Sequence, residues 1–105
     1  MTASIKQARI ELPVDTIADL CQRYRVREMA LFGSVLRDHF DPDKSGIDVL
    51  VEFEPEVQID LVDLGGLRLR LMSLFGREVD LVSKKNLKPF LMDDVLANMV
   101  VIYAA

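Results

Sequence analysis

The sequence predicts an α/β domain in which a small sheet of three or four strands packs against helices. Three observations carry that expectation: apolar residues recur at helical spacing in two long stretches, β-branched runs bounded by glycine or proline stand between and after them, and the two patterns alternate along the chain. A chain of 105 residues has room for one core and no second lobe, so residues 1–105 read as a single domain.

From residue 14 to 25, Ile17, Leu20, Cys21 and Tyr24 fall at i, i+3, i+4 and i+7, the stripe of an amphipathic helix, with Asp15 after Pro13 as its N-cap. "EMALF" (28–32) ends at Gly33 and reads as a strand, "SVLRDHF" (34–40) as two turns of helix, and "DPDKSG" (41–46) as a loop of turn-forming residues. "IDVLVEF" (47–53), bounded by Gly46 and Pro55, is a second strand. Leu64, Leu67, Leu71, Leu74 and Phe75 set a long helix from Asp60 to Phe75, weakened by Gly65 and Gly66 and stopped at Gly76. "REVDLVS" (77–83) is a third strand, "LKPFLMDDVLANM" (87–99) a helix with Pro89 in its first turn, and "VVIYA" (100–104) a closing strand.

Composition narrows the function classes. Half the residues are hydrophobic and 29% are charged, as in an ordinary globular domain, and no apolar run approaches the ~20 residues of a spanning helix. "MTASIKQARIELP" carries neither a secretory core nor a transit bias, so the cytoplasm is expected. A net charge of -4 argues against a main task of gripping nucleic-acid backbone, and no direct nucleic-acid binding is expected. The acids concentrate between Asp38 and Asp63 and the bases at Arg68, Arg70, Arg77, Lys84, Lys85 and Lys88. Such a field suits a metal–nucleotide site and equally a solvated charged surface. Cys21, the single cysteine, reads as inert packing. So high an apolar fraction in so short a chain also leads us to expect an exposed apolar patch used for association.

The candidate chemistry lies in three places. Gly33 and Ser34 sit between a strand and a helix, where glycine admits close backbone approach and the helix N-terminus offers N–H groups to a phosphate; Arg37 stands one turn on. Taken alone, Gly-Ser is a common turn dipeptide and Arg37 an ordinary helix charge. Asp48 lies among Ile47, Val49, Leu50 and Val51, where a carboxylate is disfavoured without a partner. Asp80 repeats the pattern in "REVDLVS". If their strands are neighbours, the two carboxylates converge as a hard-oxygen site of the kind Mg2+ uses with substrate phosphates. The alternative is that each is a strand-end acid capping a turn or pairing with Arg77 or Lys84. His39 is the only histidine, Glu52 and Glu54 read as solvated strand-end charges, and no Walker lysine motif or GxGxxG occurs.

With the Gly-Ser turn, "FDPDKSGIDVLVEF" and "GREVDLVSKKNLKP" together, the chain from about Pro13 to Tyr103 resembles the minimal nucleotidyltransferases. These are the small branch of the DNA polymerase β-like nucleotidyltransferase superfamily, also called MntA-type antitoxins. The resemblance implies a nucleotidyltransferase fold with a small mixed β-sheet, ATP as substrate, Mg2+ as cofactor, and an all-helical HEPN ribonuclease toxin (HepT-like) as partner. It implies transfer of AMP from ATP to a tyrosine of that toxin. Gly33 and Ser34 match the family's phosphate-binding Gly-Ser, and Asp48 the second aspartate of its Asp-x-Asp metal motif. Asp80 matches the third carboxylate, which helps deprotonate or position the attacking hydroxyl. The first aspartate of the motif falls at Gly46, so the resemblance implies a metal site short of one ligand and activity reduced or lost. A binding module that neutralises its toxin by occlusion stays open, as does a nucleotide-sensing subunit; Asp41, Asp43 and Glu52 are the acids nearest to a substitute ligand.

Overall fold

The computed structural model describes residues 3–4, 11–33 and 46–105. The expected helix at 34–40 and the loop at 41–45 lie outside these residues. Strands β1 (Ala3–Ser4) and β2 (Glu11–Leu12) form a short antiparallel ribbon that hydrophobic patterning gave no reason to expect. Then come α1 (Val14–Arg23), β3 (Val26–Phe32), β4 (Ile47–Phe53), α2 (Leu61–Phe75), β5 (Val79–Ser83), a 3-10 turn at Lys84–Asn86, α3 (Pro89–Asn98) and β6 (Val100–Ala104).

The sheet is mixed and four-stranded, in the order β5–β4–β3–β6. β3 runs antiparallel to both β4 and β6, and β4 runs parallel to β5. Strand alternation divides its side chains between two faces. Met29, Leu31, Ile47, Val49, Val51 and Val79 join Ile17, Leu20 and Cys21 of α1 and Leu67 and Leu71 of α2 in the main core. On the other face, Ala30 and Leu50 meet Leu87 and Val95, the latter from α3.

The stripe Ile17, Leu20 and Cys21 is buried as its spacing requires. The ends of α1 differ from expectation. Pro13 occupies the N-cap, and Asp15 lies inside the first turn, where a carboxylate meets the positive end of the helix dipole. The helix stops at Arg23 because Arg25 turns into the left-handed region with φ 61°. β3 starts at Val26, two residues early, because Val26 is buried and pairs with Phe53. α2 stops at Gly76 as expected, with φ 69° and its N–H donated to the Met72 carbonyl at 2.8 Å, while Asp60, read as the first helical residue, is instead the N-cap, its carboxylate accepting from the Asp63 N–H at 2.8 Å. Leu61, Val62, Leu69 and Phe90 are more than half exposed, leaving large apolar side chains on the surface. Among the described residues no helix is long and apolar enough to cross a membrane.

Candidate active site

Antiparallel β3 and β4 bring the end of one to the start of the other, and the register sets Phe32 opposite Asp48. Gly33 therefore follows directly against Asp48. Its φ of 75° lies in the left-handed region, and a Cβ there would collide with the Asp48 carboxylate. Both backbone and contact thus require glycine at 33. Ser34 and Arg37, expected to complete the cradle, lie outside the described residues, as do His39, Asp41 and Asp43.

On its other side β4 meets β5 with Asp48 and Asp80 as direct register partners. In a parallel pair such partners share a face, about 4.8 Å apart along the hydrogen-bonding direction. Here that is the α3 face, where Leu50 and Val82 follow inward. Asp48 is half-buried and Asp80 exposed, so the pair grades from core to solvent. Gly46, Asp48, Arg68, Glu78, Val79 and Asp80 line one depression of about 340 Å³.

Gly46 stands at the lip of that depression. The backbone beside it is fixed by the Ile47 N–H, which donates to the Glu78 carbonyl at 2.9 Å. Unlike Gly33, it is not among the glycines of positive φ. A Cβ at 46 would lie 3.2 Å from the Glu78 carbonyl oxygen and 3.5 Å from the Glu78 Cβ, tight but open to a small shift. Among the described residues no group of three or more acids, histidines or cysteines converges as a metal cage. Asp48 and Asp80 still fit a magnesium ion that arrives carrying phosphate oxygens, since such ions keep most of their water and use one or two carboxylates.

The remaining acids sit elsewhere. Glu52 is four residues along β4 from Asp48, on the order of 13 Å at strand rise, which removes it as a substitute ligand. It faces Lys84 at 3.8 Å, so Lys84 serves Glu52 rather than Asp80. Glu54 accepts from Arg25 at 3.0 Å. Expected to be merely solvated, both acids are paired, though exposed pairs of this kind contribute only about 0–1 kcal/mol. Cys21 is fully buried, and burial pushes its thiol up to about 12, which fits packing rather than reactivity.

Arg68 was legible in the sequence only as one base of a cluster. It reaches from α2 around the edge strand β5, its Nε donating to the Val79 carbonyl at 2.8 Å and its Nη2 to Glu78 Oε2 at 3.0 Å.

Residues 15–102 match the nucleotidyltransferase domain family. The chain is 39% identical over 82 residues to the protein adenylyltransferase MntA of Thermococcus cleftensis, covering 78% of this chain and 80% of that protein. It is similar in structure to a minimal nucleotidyltransferase at 34% identity and TM-score 0.69, over 83% of this chain and 86% of the other. It also shares its fold with a chain from the Shewanella oneidensis complex of a tri-AMPylated HEPN toxin with MNT antitoxin. That likeness has 21% identity and TM-score 0.63, over 88% and 70% of the two chains.

Proposed function

Because the chain belongs to the nucleotidyltransferase domain family, we propose that it is the antitoxin of a MntA/HepT-type pair, a minimal domain of the cytoplasm that transfers AMP from ATP to a tyrosine of a HEPN ribonuclease toxin. The observation that carries this reading is the register pairing of Asp48 with Asp80, with Gly33 turned against Asp48. It is supported by the MntA relative and by the fold shared with a chain of a complex whose toxin is AMPylated.

In this reading the Gly33–Ser34 turn and Arg37 hold the phosphates of ATP. Asp48 and Asp80 would hold Mg2+, which when bound supplies charge neutralisation at the phosphates. The tyrosine oxygen of the toxin forms a bond to the α-phosphorus while the bond from that phosphorus to the α–β bridging oxygen breaks, and pyrophosphate leaves. Asp80, the exposed member of the pair, takes the hydroxyl proton. Selection of the tyrosine comes from docking two proteins. Exposed Leu61, Val62 and Phe90 fit a surface that associates.

Gly46 favours a second reading, neutralisation by occlusion without transfer. With no carboxylate at 46, a site short of one metal ligand would lower transfer by on the order of a hundredfold or more, each ~1.4 kcal/mol being tenfold. Co-expression with a HEPN toxin, then size-exclusion chromatography and intact-mass measurement of the toxin, separates the two. An adenylyl adduct on a tyrosine supports transfer, a stable complex without adduct supports occlusion, and neither complex nor adduct overturns both.

A further inference from the structure

Arg68 has no part in the mechanism above, yet among the described residues it is the only cation lining the depression that holds Asp48 and Asp80. Part of its work is structural. β5 is an edge strand, and the Arg68 Nε satisfies its Val79 carbonyl at 2.8 Å. That bond and the one to Glu78 use two of the five N–H donors of the guanidinium, and the side chain stays 43% exposed. Anchored at two points, the planar group keeps its remaining donors in place, so a ligand binding them costs little further ordering.

We propose that Arg68 is a phosphate contact of the nucleotide site, an inference that rests on the adenylyltransferase reading. The carboxylates of Asp48, Asp80 and Glu78 around the depression would repel a bare triphosphate, and a fixed guanidinium offsets part of that repulsion. Glycine at 46 sharpens the role. A side chain there would start 3.5 Å from the Glu78 Cβ, so a carboxylate at that position would share Arg68 with Glu78. Without it, the free edge of Arg68 is left to the ligand. The chain has lost an anionic metal ligand, and the same loss releases a cation toward phosphate.

The test is calorimetric titration of ATP, and separately of adenosine, into the unmodified chain, Arg68→Gln, Glu78→Gln and the double variant, with Mg2+ and again with EDTA. Arg68→Gln is expected to weaken ATP about tenfold, equal to about 1.4 kcal/mol, in both conditions and to leave adenosine unchanged. Glu78→Gln, which keeps the bond from Arg68 to the backbone, is expected to tighten ATP about threefold, and by less in the double variant. A folded Arg68→Gln protein that binds ATP within twofold of the unmodified chain overturns the inference alone. So does equal weakening of ATP and adenosine, the mark of an arginine that only pins α2 to β5. Should Arg68→Gln fail to fold, a Glu78→Gln protein with unchanged or weaker ATP affinity overturns it as well. An unmodified chain that binds no ATP in either condition overturns the adenylyltransferase reading and this inference with it.

Discussion

Gly33→Ala is the substitution whose cost the structure states most fully. A left-handed φ of 75° costs an L-residue about 1–2 kcal/mol. The added Cβ would overlap the Asp48 carboxylate and lie 3.2 Å from its Cγ, so Asp48 must leave its position, at about 1–3 kcal/mol for a forced shift in packed structure. The sum is about 2–5 kcal/mol, a fall in Tm of at least about 8 °C for a domain of this size. In an Asp48→Ala background the nearest atom is the residue-48 Cβ at 3.4 Å, an ordinary contact, so only the conformational part remains. Urea unfolding of the four proteins of this cycle should therefore give a coupling of about 1–3 kcal/mol. Additive costs would refute the claim that Gly33 is glycine for the sake of Asp48. A total below about 1 kcal/mol would refute the left-handed turn itself.

Three further outcomes follow from the packing. Leu71→Ala, at a fully buried position of α2, should lower stability by about 2–5 kcal/mol in urea unfolding, and an effect under about 1 kcal/mol would place α2 elsewhere. Gly65→Ala meets nothing within 4 Å in the interior of α2 and should stabilise by about 0.5–1 kcal/mol; a loss of stability would mean that this stretch is not regular helix. Burial raises the Cys21 thiol from 9.0 to about 12, so the unfolded chain loses this proton before the folded chain does. The stabilisation is complete below pH 9.0 and falls as pH rises toward 12; Cys21→Ala should flatten that slope, and ready reaction of the folded chain with a thiol reagent at pH 8 would contradict the burial.

Much of this fold was legible because single residues carried unambiguous signals. The stripe of α1, the Gly76 stop of α2 and the β-branched run of β4 all stood out. Where a boundary depended on a conformation that no residue type announces, the reading slipped: Arg25 in the left-handed region ends α1 early, and Pro13 rather than Asp15 takes its N-cap. The two-residue strands β1 and β2 are too short for any periodicity. At the site, the carboxylates were legible as anomalies in apolar strands, but their meeting depended on β4 lying parallel beside β5, a matter of topology. Arg68 escaped because its function depends on reaching around a sheet edge, and an arginine on a helix looks the same in sequence whether it meets water or a site.

The central claim is that a nucleotidyl-transfer site survives here with its first metal ligand replaced by Gly46. Its most direct test is radiolabel transfer from ATP to purified HEPN toxin by the unmodified chain, Gly46→Asp, and Gly46→Asp with Asp48→Asn, side by side. Since Gly46 has no positive φ and its Cβ needs only a slight yielding of Glu78, the restored carboxylate should be accommodated. The account predicts transfer about a hundredfold or more faster for Gly46→Asp, at two decades for about 2.7 kcal/mol, with the gain abolished by Asp48→Asn. An unmodified chain already as active as Gly46→Asp would contradict it.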